Sequence, residues 1–115
     1  MLAGDERSVA LYRAVERVVR SFGPVTLSVS KSSITFKGPR RGFAGARPTS
    51  TGAVVGYFDL MRQLPAQRRI GAGTAYGRKL FTHQYRITEE SDLDDEFVGW
   101  LREAYDVGCG AHLGS

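Results

Sequence analysis

Apolar side chains recur every three or four residues near both ends of the chain and every second residue between them. Val9, Leu11, Tyr12, Val15, Val18, Val19 and Phe22 form one helical stripe, which predicts a helix from an Asp5 cap to about Phe22. Gly23 and Pro24 end it, because glycine accepts a left-handed turn and proline cannot continue a helix. Period two follows: Val25, Leu27 and Val29 alternate with Thr26, Ser28 and Ser30, then Ile34 and Phe36 with Thr35 and Lys37. "GFAGAR" at 42–47 reads as a glycine-weakened strand, and "AVVGYFDLM" at 53–61 and "LFTHQYRI" at 80–87 as the two strongest. The last segment opens at Ser91 or Asp92 and reads as a helix to about Val107. Its stripe is Leu93, Phe97, Leu101, Ala104 and Tyr105, with Trp100 at the edge and Gly108 as the stop.

The order helix, five strands, helix leaves no helix between strands, so the sheet is expected to be mostly antiparallel. The predicted fold is α+β: a two-layer sandwich, with a five-stranded sheet and the N- and C-terminal helices on one face. The other face is then open and carries Thr26, Ser28, Thr35, Thr82, Gln84 and Arg86. Tyr57 joins them if Val54, Phe58 and Leu60 point inward. Such a face serves as a binding platform or simply meets water.

The 115 residues suit a single domain over 1–115, with an ordered core at about 5–107 and a tail at 108–115. One cysteine, Cys109, excludes an intrachain disulfide and a cysteine-based zinc site. No apolar run is long enough for a membrane span. Asp5, Glu6 and Arg7 stand where a secretion signal needs apolar residues, so a cytoplasmic location is expected.

Charge changes the picture more than composition does. Eleven Lys or Arg and one acid, Asp59, lie between Pro24 and Thr88, whereas Glu89 to Asp106 hold eight acids and one Arg, Arg102. "RRIGAGTAYGRKLF" at 68–81 has the glycines and cations of a phosphate cradle. A cradle needs a helix N-terminus after its glycines; here a strand follows, and no Ser or Thr succeeds Lys79, so the stretch reads as a strand-to-strand loop. Arg40, Arg41, Arg68, Arg69, Arg78 and Lys79, with Arg62 beside them, are the candidate polyanion-binding residues, gripping phosphates without reading bases. The alternative is a solvated charged surface.

Catalytic chemistry is thinly represented. A metal-dependent nuclease needs several acids with a Glu-x-Lys or Asp-x-Lys on adjacent strands, and neither tripeptide occurs. No nucleophile-elbow or zinc-protease motif is present. "SDLDDEF" at 91–97 lacks the glycine turn of a calcium loop and suits a helix cap with acids in the first turn. His83, on the expected core side with Phe81, Tyr85 and Ile87, reads as a core-edge histidine with one hydrogen bond rather than a base. No catalytic residue, metal or cofactor is therefore expected.

"SKSSITFKG" at 30–38, "GFAGARP" at 42–48, "FTHQYRI" at 81–87 and "DLDDEFVGWLREAY" at 92–105 together resemble a bacterial family catalogued as domain of unknown function 5655. The resemblance runs from about Leu11 to Val107. It implies a small helix–sheet–helix domain with no assigned reaction, and a polar pattern matched by Lys31, Arg69 and His83. With Tyr85 these residues make a candidate ligand pocket. Three functions remain open: a module binding nucleic acid or another polyanion, a protein-interaction or self-associating module, and a small anionic-ligand pocket at Lys31, Arg69, His83 and Tyr85.

Overall fold

The computed structural model describes residues 5–30, 33–76 and 79–111. Helix α1 (Glu6–Arg20) starts as expected at Asp5, whose carboxylate accepts the Ser8 amide at 2.8 Å. The buried Ser8 hydroxyl donates to the carbonyl of Thr49 at 2.6 Å, which fixes the start of the helix to the sheet.

Six strands follow: β1 (Thr26–Val29), β2 (Ile34–Lys37), β3 (Gly42–Pro48), β4 (Val54–Leu60), β5 (Thr74–Tyr76) and β6 (Leu80–Ile87). They lie in the order β1-β2-β3-β4-β6-β5, every neighbouring pair antiparallel. The additional strand is β5, three residues inside the glycine-rich stretch read as a loop. A run that short carries no visible alternation. The chain before it also follows β6, since the Gly71 amide donates to Gln84 and the Arg86 amide to Arg69, both at 2.9 Å.

Cross-strand register sorts the side chains by face. Leu27, Phe36, Ala44, Phe58 and His83 share one row, and Ile34, Ala46, Gly56 and Tyr85 the next. Both rows face the helices. A bulge between β2 and β3 sets Phe43 beside Ala44 with both buried, so the β3 edge fills the core more fully than alternation predicts. Phe43 meets the Tyr105 ring edge-on at 5.4 Å.

Helix α2 (Asp95–Gly108) begins a turn later than the sequence suggests. A short 3-10 turn occupies Glu90–Asp92, and Asp94 is the cap, accepting the Phe97 amide at 2.9 Å. Asp92 instead accepts the amides of Thr88 and Glu89 at 3.0 and 3.3 Å. Two aspartates thus satisfy two successive sets of free amides, which the acid-rich spacing alone does not separate. Both helices pack on β3 and β4. Phe97, Trp100, Leu101, Ala104 and Tyr105 of α2 meet Leu11, Tyr12, Val15 and Val19 of α1 over the inner rows of the sheet, and this is the core.

Candidate functional site

Arg69 lies at the end of the β4–β5 connection, beside the start of α2. Its side chain is only 5% exposed. Nη1 donates to Asp94 Oδ1 at 2.8 Å and to the Asp92 carbonyl at 2.9 Å, Nη2 to Glu96 Oε1 at 2.6 Å, and Nε to Gln67 at 3.2 Å. The guanidinium also lies 5.6 Å from the Phe97 ring centre and 5.3 Å from that of Trp100. Its planar fork is matched to carboxylates on one edge and to aromatic rings on its face. The bound Arg69 holds the Asp94 carboxyl below the usual carboxylate range, helped by the Phe97 amide. Next to it, Arg68 donates to Asp92 at 2.8 Å; Arg68 is 70% exposed and Asp92 only 4%. Both arginines are engaged with acids supplied by the 3-10 turn and the first turn of α2.

His83 is fully buried, its ring stacked on Phe58 at 5.4 Å. Nε2 accepts the Leu64 amide at 2.9 Å, which leaves the neutral imidazole's proton on Nδ1; that buried atom has no hydrogen-bond partner among the described residues. Burial lowers its pKa below the ordinary histidine value. Gly73 closes over the ring, and a Cβ there would collide with Nε2. A proton acceptor already used by the backbone and sealed by glycine is not available to a substrate. His83 makes the one hydrogen bond expected of it, but inside the core rather than at its edge.

Tyr85 is buried as well, donating to the Gly45 carbonyl at 2.7 Å, and burial raises its pKa. Arg69, His83 and Tyr85 therefore do meet around one aromatic group, Phe58, Phe97 and Trp100. They meet as interior packing rather than as the lining of an opening to solvent. Lys31, the fourth residue of that set, lies outside the described residues.

The loop cations fall at two ends of the sheet. Arg40 and Arg41, in the β2–β3 turn, and Lys79, before β6, stand at one end; Arg68 and Arg69, which reach the far end of β6, stand at the other. Arg41 pairs at 3.1 Å with Asp59, a buried carboxylate that also accepts the Thr82 hydroxyl at 2.9 Å. Arg62 pairs with Glu103 of α2 through two hydrogen bonds of 2.9 and 3.0 Å. Arg40 and Lys79 are exposed, with no ion pair among the described residues; Arg78 lies outside them.

The sheet face away from the helices has a different character. Register places Ser28, Thr35, Gly45, Tyr57 and Gln84 in one row and Arg47, Val55 and Arg86 in the next, with Lys37 on β2 beyond them. Thr26 and Thr82 complete it, as alternation predicts. Lys37, Arg47 and Arg86 are exposed and make no ion pair among the described residues. The acid on this face, Asp59, is buried under Arg41. The Tyr57 ring leans across β3 onto Gly45, where a Cβ would come within 2.6 Å of Cε1. A shallow depression of about 190 Å³ lies here, walled by Arg47, Val55, Tyr57 and Gln84. Lys37 and Arg47 escape a reading by charge clustering because they stand on strands, outside the loops where the other cations gather. Strand alternation was the signal that carried them to the open face.

A larger concavity of about 470 Å³ lies between the β4–β5 connection and α2, where Asp95, Glu96 and Glu103 outnumber Arg62. Its charge repels anions. Among the described residues no His, Cys, Asp and Glu side chains gather in a group of three suited to a metal ion. No described helix is long and apolar enough to cross a membrane.

No curated protein and no solved structure matches this chain. The model of one family, described as "Domain of unknown function (DUF5655)", matches residues 1–108, which takes in both helices and all six strands. The chain belongs to the DUF5655 family.

Proposed function

We propose that this protein is a non-enzymatic binding module that takes a polyanion on the open face of its sheet. The observation that carries the reading is that exposed ionised side chains of one sign, Lys37, Arg47 and Arg86, stand on that face while its one acid is buried and paired. Cations already paired with carboxylates, such as Arg68 and Arg69, must give up those partners before they can bind a phosphate or sulfate. Unpaired cations release only counterions, and that release drives the association. Arg40 and Lys79 extend the same field at one end of the sheet.

Heparin-affinity elution tests this. The Lys37→Gln, Arg47→Gln, Arg86→Gln protein is expected to elute at clearly lower salt than the wild type. A control with Arg7→Gln, Arg13→Gln and Arg17→Gln removes the same charge from exposed positions of α1 and is expected to elute nearer the wild type. Equal shifts in the two variants mean that net charge alone is being read, and the proposed face is then wrong.

A second reading rests on β1. This edge strand pairs only with β2, and Val29 on it is 65% exposed, more than any other large apolar side chain among the described residues. An unpaired edge with an exposed valine suits association with another strand. Sedimentation over a wide concentration range, with Val29→Lys as the comparison, separates a self-associating module from a monomer.

A further inference from the structure

We propose that the concavity beside α2 binds a linear aliphatic polyamine, a chain of methylene groups with an ammonium at each end. The site shares no residue with the open face of the sheet, so it stands or falls apart from the polyanion reading. Its volume of about 470 Å³ lies within the range of small-molecule sites. Leu64, Pro65 and Ile70 of the β4–β5 connection, with Gly99 and Trp100 of α2, give it an apolar floor. The Trp100 ring already carries the Arg69 guanidinium; the ligand lies against its apolar surface and is not required to stack on it.

Gly99 is the residue that points to an occupant. It stands inside α2, where glycine weakens a helix more than any residue but proline. Packing does not require it, since a Cβ there would meet no atom within 4 Å. A glycine that costs its helix stability, has no neighbour to avoid and lines a concavity serves to keep that concavity open.

The acids complete the match. Asp95, Gly99 and Glu103 follow one another at four-residue spacing, so they share one face of α2. The two carboxylate-bearing residues stand about 12 Å apart along the helix axis, with the glycine between them. Asp95 is exposed and makes no ion pair among the described residues. Glu103 holds Arg62, but that pair is open to water, with side chains 55% and 40% exposed, and an exposed pair exchanges one cation for another at little cost. Glu96 is held by the buried Arg69 and takes no part. Two carboxylates at the ends of an apolar strip suit a long cation with its charges at the ends.

Other cations fit less well. Carboxylates this far apart do not share a divalent metal ion, and among the described residues no three metal-ligating side chains gather. A basic peptide would bring backbone amides that need partners, and the wall has few to give. The Leu64 amide is taken by His83 and its carbonyl by the Gly73 amide, while Gln67 and Ile70 bond to each other. Pro65 has no amide to offer. A methylene chain leaves nothing unsatisfied there.

The test titrates the protein with spermidine at fixed ionic strength, reading binding by calorimetry and its place by the fluorescence of Trp100, the chain's one tryptophan. One spermidine is expected to bind per chain and to change the Trp100 emission, with a shorter diamine, putrescine, binding more weakly. Gly99→Leu is expected to abolish binding while melting no lower than the wild type, because leucine favours the helix. Asp95→Asn, at an exposed position, is expected to weaken binding by up to about fivefold, as for one exposed ion pair. Arg62→Gln, which removes the competing cation, is expected to tighten it. Absence of spermidine binding, binding that leaves Trp100 unchanged, or full binding by Gly99→Leu overturns the inference. Magnesium bound as tightly as spermidine shows that the acids alone are read, and tighter binding of an oligolysine peptide shows that the groove serves a protein; either result also overturns it.

Discussion

Arg69, before β5, and Arg86, on β6, lie side by side, joined by a backbone hydrogen bond, yet their side chains have opposite fates. Arg69 turns toward the helices, where Asp94, Glu96, the Asp92 carbonyl and two aromatic rings enclose it. Arg86 turns to the open face and meets no acid among the described residues. Both belong to the same basic stretch of sequence. What separates them is which face of the sheet each is carried to: Arg69 holds the fold together, and Arg86 stands on the face proposed for binding.

The contrast is sharpest in stability. Replacing Arg69 by Ala is expected to cost about 2 to 3 kcal/mol, in the range for charge-assisted hydrogen bonds and below that for fully buried pairs. The reduction follows because Asp94 and Glu96 are half exposed and regain water. Arg69→Lys is expected to recover little, since an ammonium cannot reproduce the fork or the ring contacts. Arg86→Ala is expected to change stability by no more than ~0.5 kcal/mol. Urea denaturation of the three variants measures all of this, and equal losses for Arg69 and Arg86 break the comparison.

The second contrast is in salt dependence. If Lys37, Arg47 and Arg86 each neutralise one phosphate, removing them lowers the slope of log affinity against log salt by about 2, at ~0.7 per single-strand contact. Arg68→Gln is expected to leave that slope unchanged. Binding isotherms at several salt concentrations provide the check.

Arg68 is the intermediate case. Its pair with Asp92 joins an exposed cation to a buried carboxylate that keeps two backbone amides. Arg68→Ala is therefore expected to cost clearly less than Arg69→Ala, as for surface pairs, measured in the same denaturation series.

A pH series sharpens the comparison in another way. His83 has a lowered pKa in the fold because it is buried, so the unfolded chain binds its proton more readily. Its contribution is present above the ordinary value of 6.5 and is lost as pH falls below it, toward the lower folded value. Asp92 and Asp94, also lowered, contribute above their ordinary value of 3.8, and that contribution is lost as pH falls further. Denaturation midpoints between pH 7 and 5 are expected to decline in the wild type and to decline less in His83→Leu, though that variant starts lower because the Leu64 amide loses its acceptor.

The helices, five of the strands and the polar identity of the open face were legible because each is written in local periodicity. Phe58 and Tyr57 fall on opposite faces by alternation alone, and Asp5 before a helical stripe is a cap by its chemistry. The site was less legible. Arg69 is 25 residues from Asp94 and 27 from Glu96, and no local pattern reports that they meet. Clustering in the sequence points to the loop arginines, whereas the proposed surface joins Lys37, Arg47 and Arg86 from three different strands. β5 was hidden because three residues next to glycines carry too little period to register.

The central claim is that the protein holds two populations of arginine, one locked in the fold and one available to a ligand. The side-chain Nε–H signals of arginine in a ¹H–¹⁵N spectrum, followed while oligothymidylate is added, test it most directly. The account predicts a protected Arg69 signal that stays in place, and Arg47 and Arg86 signals that shift together as the ligand binds. Movement of Arg69 with Arg47 and Arg86 unchanged would contradict it.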